Sequence, residues 1–120
     1  MSHLARIQTQ VRDRMAVDLA CRRLGLAEPI EGTARLFTDE ASGLLVQLPQ
    51  WRYPVVLNLQ QGEVRFDNFE GKWGDRSHLD RFLQTYAVER AELEARKAGH
   101  SVTEESLQDG SIRLRIGQAK

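Results

Sequence analysis

Four short apolar runs follow one another between Thr33 and Phe66, and the links joining them are too short for anything but antiparallel neighbours. Thr33 to Phe37 is the first, and Leu44 to Leu48, set off by Ser42-Gly43 and stopped by Pro49, is the second. Pro54 precedes the third, Val55-Val56-Leu57-Asn58-Leu59, and Glu63-Val64-Arg65-Phe66 runs back after a Gln61-Gly62 turn. Runs of this length bounded by Gly, Pro and Ser read as strands. A parallel crossover takes a dozen or more residues, so these strands pair antiparallel. Alternation puts Val55, Leu57 and Leu59 on one side, with Val64 and Phe66 opposite them.

The flanks add two helices. Ala5, Ile7, Thr9 and Val11 share one face of an opening strand, with Arg6, Gln8 and Gln10 on the other. Asp13 is an N-cap, Met15, Ala16, Leu19, Ala20 and Leu24 recur at helical spacing, and Gly25 stands where a left-handed residue ends a helix. Ser77 opens a longer helix with a variant capping box, Ser77-x-x-Asp80. Its stripe of Leu79, Phe82, Leu83, Tyr86 and Ala87 continues as Ala91, Ala95 and Ala98, small residues that admit a close neighbour, and Gly99 stops it. At the end, Ser101 to Leu107 is extended, Asp109-Gly110 turns the chain, and Ile112, Leu114 and Ile116 alternate with Arg113 and Arg115. That pattern predicts a hairpin with one buried and one charged face. The whole reads as a single α+β domain over 1–120: a mainly antiparallel sheet covered by two helices, in the order β-α-β-β-β-β-α-β-β.

Charge and length narrow the function classes. The 120 residues suit one core, and 17 basic residues balance 17 acidic ones. Residues 1–60 carry 7 basic and 6 acidic groups, residues 61–120 carry 10 and 11, so neither half is a basic lobe of the kind nucleic-acid binders use. No apolar run approaches the ~20 residues of a membrane helix. The N-terminus shows no secretory pattern, so the expected compartment is the cytoplasm. Cys21 is the only cysteine, which leaves no internal disulfide, and its helical setting makes it a small buried hydrophobe.

No catalytic or metal motif stands out, and neither a metal nor a cofactor is expected. His3, His78 and His100 lack metal-ligand spacing, and no Gly-rich phosphate loop or nucleophile elbow is present. Gly71-x-x-Gly74 matches the short loop of KH domains, but it lies between acidic residues. Glu104 and Glu105 point to opposite faces of a strand, and Glu89, Glu92 and Glu94 with Arg90, Arg96 and Lys97 form a solvated helix face. The most distinctive features are Trp51-Arg52-Tyr53 and Phe69…Trp73, aromatics with arginine in loop context, the composition of interface hot spots.

Three functions are therefore expected in order. The first is a non-catalytic protein-interaction module using Trp51, Arg52, Tyr53, Phe69 and Trp73. The second is an enzymatic or small-ligand pocket at the 67–78 stretch, with His3, Asp67, Asp75 and His78 as its polar groups. The third is single-stranded nucleic-acid binding by Arg113 and Arg115 with Trp51 and Tyr53 as stacking groups. Hairpin edges and the alanine-lined helix face also invite a homodimer.

Met1-Ser2-His3-Leu4 followed by Ile7-x-Thr9-x-Val11 resembles the opening of the hypothetical chloroplast reading frame thirty-five family, a domain of unknown function in cyanobacteria, plastids and other bacteria. Trp73-Gly74, Tyr86-Ala87, Ala95-Arg96-Lys97-x-Gly99 and Asp109-Gly110-Ser111-Ile112-Arg113-Leu114 are similar as well. The resemblance implies no reaction, cofactor or catalytic residue. Its implied partner is an AAA-type ATPase, with which members are associated in genome context.

Overall fold

Residues 5–37 and 39–117 are described by a computed structural model, the first four of them by backbone alone. The order is β1 (Ala5–Gln8), α1 (Arg14–Arg23), β2 (Ile30–Arg35), β3 (Glu40–Val46), β4 (Val55–Asn58), β5 (Glu63–Phe66), a single 3-10 turn at Phe69–Gly71, α2 (Arg76–Lys97), β6 (Ser101–Ser106) and β7 (Ile112–Gly117). Five strands form one antiparallel sheet in the order β1-β5-β4-β3-β2, and β6-β7 is a separate two-stranded ribbon. The α+β class and the element order are those the sequence predicts. The hairpin, however, packs on α2 and does not extend the sheet.

Both helices cover one face. Ala16, Val17, Ala20 and Cys21 of α1 and Leu79, Phe82 and Tyr86 of α2 close over Leu44, Val46, Val55, Leu57, Val64 and Phe66. The cross-strand register sets Leu57 against Val64 on this face, as the alternation predicts. Asp13 caps α1 by accepting from Ala16 N at 3.2 Å. The capping box predicted for α2 is displaced: Asp75 is the cap, accepting from Ser77 N at 2.9 Å, and Asp80 instead pairs with Arg76 at 3.0 Å. The Tyr86 hydroxyl accepts from both Arg12 N and Asp13 N at 3.0 Å, which ties the β1–α1 link to the long helix. Burial pushes the Cys21 thiol up to about 11, helped by the Asp18 carboxylate, so it is an inert core group.

The β2–β3 hairpin differs most from expectation. Both strands start earlier than predicted because Gly32 and Gly43, which look like breaks, face each other inside the ladder. β3 pairs with β4 only over Leu44 to Val46, so the rest of the hairpin continues as a two-stranded arm. The arm's Ala34, Leu36 and Ala41 pack with Val56, Leu45 and Tyr53, a small second core on the face away from the helices.

The β6–β7 ribbon is half-buried at best, with Ile116 55% exposed, where one buried face is predicted. Its anchor is electrostatic. Glu104 of β6 receives two bonds from Arg23 at the end of α1 (2.8 and 2.5 Å), and Glu89 stands 3.6 Å from the same guanidinium. Glu92, expected on a solvated face, is only 5% exposed, bonded to Arg96 at 2.9 Å, with Oε2 buried. Burial first, then the adjacent Glu104 and Glu89 carboxylates, raise Glu92 from 4.5 to about 7 despite Arg96. The Glu104 carboxyl beside it is drawn down to about 2, chiefly by the bonds it accepts from Arg23 and then by Glu92.

The two shifts act in opposite pH windows. The native state holds the Glu92 proton that an unfolded chain releases near 4.5, so this contribution is full below that pH and is lost as pH rises through about 7. The Glu104 contribution is present above 4.5 and is lost as pH falls towards 2. Thermal melts between pH 5 and 8 are therefore expected to show a declining midpoint. Glu92→Gln, which is uncharged at every pH, should flatten that decline and raise the midpoint at pH 8 by a few degrees. An unchanged slope in the variant would remove Glu92 as its source.

Candidate functional site

Two tight connections, residues 47–54 between β3 and β4 and residues 67–75 between β5 and α2, are tied together by Arg52 N donating to Trp73 O at 2.8 Å. The second is closed on itself by bonds from Gly71 N and Trp73 N to Asn68 O and from Asn68 Nδ2 to Gly74 O. Both carry non-glycine residues in the left-handed region: Gln50 (φ 62°), Phe69 (φ 45°) and Glu70 (φ 53°). Backbone of this kind costs about 1–3 kcal/mol per residue and persists only where the surroundings hold it.

Trp73 is the hub of what these loops display. Its ring centroid lies 4.7 Å from Phe69, 5.1 Å from Phe37 at the tip of the β2–β3 arm and 5.7 Å from Tyr53. Tilted and edge-to-face pairs at such spacings add about 0.5–1.5 kcal/mol each beyond burial. The Arg52 guanidinium sits 4.8 Å over Trp73 and 5.5 Å from Tyr53, and the Lys72 ammonium sits 4.7 Å over Phe69. Phe37 is 54% exposed, and Tyr53, Phe69 and Trp73 are half-buried. The result is a cation-edged aromatic platform joined to the small core on the sheet face that the helices leave open.

Four of the five residues singled out from sequence, Arg52, Tyr53, Phe69 and Trp73, thus meet at one place. Trp51 does not. It is 5% exposed and lies on the helix side, edge-on to Phe66 at 5.8 Å, with Nε1 donating to Asp75 O at 3.0 Å. In the bend between β3 and β4, where Gln50 takes a left-handed conformation, Trp51 turns inward while Arg52 stays exposed. Gly74 lies so close over the indole that a Cβ there would stand within steric overlap of it. Phe37 and Lys72 complete the platform without a sequence signal of their own. Phe37 arrives only because the arm folds over the open face.

No family model, curated protein or solved structure matches the chain. The geometry of the site alone carries the functional reading.

The alternative pocket is assembled only in part. Asp75 and His78 line an open depression of about 380 Å³ beside the platform, together with Arg52, Lys72 and Trp73. Asp75 is engaged as the α2 cap, and bonds from Ser77 hold its carboxyl below the usual range. Asp67 is 1% exposed, accepts from Phe69 N at 3.3 Å, and is not part of the depression. His3 lies outside the described residues. Arg113 pairs with Glu105 at 3.0 Å and Arg115 approaches the same carboxylate at 4.0 Å, on a ribbon carried by α2, while Tyr53 belongs to the opposite face of the sheet. Among the described residues no group of three or more His, Cys, Asp or Glu could hold a metal ion, and no helix is long and apolar enough to cross a membrane.

Proposed function

We propose that this chain is an accessory module that grips a protein partner through the Phe37–Tyr53–Phe69–Trp73 platform. The observation that carries this reading is the convergence of three separate chain segments on one half-buried aromatic hub, Trp73, with Arg52 stacked upon it. Aromatic and arginine side chains dominate interface hot spots because they bury large area at small entropic cost. The strained loops supply preorganisation, which lowers the ordering cost of binding. The two stacked cations place positive charge at the rim, so the partner segment of best fit pairs an apolar anchor with acidic residues. The resemblance in the short terminal motifs makes an AAA-type ATPase the first macromolecule to try.

Selection from a peptide-display library tests this while the partner is unidentified. The wild-type protein is expected to enrich sequences combining an aromatic or large aliphatic residue with Asp or Glu. Trp73→Ala should weaken the best of them about 30-fold, as loss of a 2 kcal/mol hot spot requires. Arg52→Glu should abolish the acidic preference. Equal binding by wild type and both variants, or no enrichment at all, would dismiss the platform as a protein-binding surface.

A further inference from the structure

One outer edge of the five-stranded sheet is β2, whose residues Ile30 to Arg35 are exposed except for Ala34, and whose outward backbone groups have no neighbouring strand in the sheet among the described residues. Exposed edges usually carry charges that repel a second strand. Here Glu31 and Arg35 stand four residues apart, with opposite signs, at equal distances from Thr33. We infer that β2 pairs antiparallel with β2 of a second copy of this chain, about a two-fold axis through Thr33. In that register Glu31 of each copy faces Arg35 of the other and Gly32 faces Ala34.

The charges select the register. Shifting the axis to Glu31 places two carboxylates directly opposite each other, and shifting it to Arg35 opposes two guanidiniums. A shift by one residue pair leaves both ion pairs unmade. Opposite charges directly across a ladder are favourable and like charges unfavourable. The middle of the strand is built for close approach, since Gly32, Thr33 and Ala34 are small and Thr33 pairs with Thr33. The Glu31 carboxylate is 69% exposed and loosely opposed by Arg14 at 4.0 Å, so it is available to the second copy. The isologous contact closes on itself and yields a dimer with one continuous ten-stranded sheet. The paired residues of β2 do not include the Arg52 and Trp73 loops, which are the β3–β4 and β5–α2 connections.

Sedimentation velocity over a concentration series tests this. The wild-type protein is expected to form a concentration-dependent dimer. Glu31→Arg or Arg35→Glu should each weaken it at least tenfold, and the double exchange Glu31→Arg with Arg35→Glu should restore it. Thr33→Cys gives a second readout that does not depend on charge: mild oxidation should trap a disulfide-linked dimer, while Glu31→Cys should not, and the buried Cys21 does not compete. Circular dichroism confirms that each exposed-edge variant is folded. A wild type that stays monomeric at every concentration overturns the proposal. So does a dimer indifferent to single charge reversal, a swap that fails to rescue, or equal trapping by both cysteines. Trp73→Ala serves as the control and should leave the dimer intact.

Discussion

Trp51→Ala is expected to remove about 3–5 kcal/mol of stability, the usual cost of deleting a buried indole. The ring fills the space between Phe66 and Gly74 and its Nε1 bond to Asp75 O ties the β3–β4 connection to the start of α2. Small domains are stable by only about 5–15 kcal/mol, so the variant should be close to unfolded at room temperature. Trp73→Ala provides the contrast. Its ring is half-buried, and its loss should cost about 1–2 kcal/mol, mainly of ring contacts, while weakening partner binding about 30-fold. Urea unfolding of both variants checks the division. If Trp51→Ala costs no more than Trp73→Ala, the assignment of one tryptophan to the core and the other to the surface is mistaken.

Gly43→Ala should be nearly as damaging, at about 3 kcal/mol, for a reason rooted in the backbone. An added Cβ would meet the carbonyl group of Leu57 on β4 and crowd Val56 Cγ1 at 3.2 Å. A carbonyl in a central strand cannot swing aside, so β3 and β4 must part where the arm leaves the sheet. Gly32, directly across the hairpin, is the matched control, since its Cβ would find only Leu45 Cδ1 at 3.5 Å. Gly32→Ala should therefore be neutral within about 0.5 kcal/mol, or mildly stabilising through the unfolded chain. Thermal melts of the two variants should differ by roughly 8 °C or more for a chain of this size. Equal melting temperatures would mean that β3 and β4 do not approach closely at Gly43.

The same pair of glycines shows where sequence reasoning stops. Gly32 and Ser42-Gly43 look like breaks because glycine is a poor strand former, so local pattern places the starts of β2 and β3 later than they are. Only the neighbouring strand explains them: one glycine makes room for a carbonyl, and the other faces it across the ladder. Glu92 is a similar case. On the helix alone it belongs with Glu89 and Glu94 in a solvated row. Burial against the docked ribbon, with the Glu104 and Glu89 carboxylates nearby, turns it into a carboxyl with a raised pKa.

The linear pattern of this chain was enough to determine the element order, the antiparallel pairing and the two loops carrying aromatics, because periodicity, turn residues and link length act locally. Tertiary structure alone decided that the ribbon stands apart on α2, that Trp51 goes inward while Trp73 goes outward, and that Phe37 joins Tyr53, Phe69 and Trp73. Those outcomes depend on which surfaces meet across long separations in the chain, and local preference carries no information about such meetings.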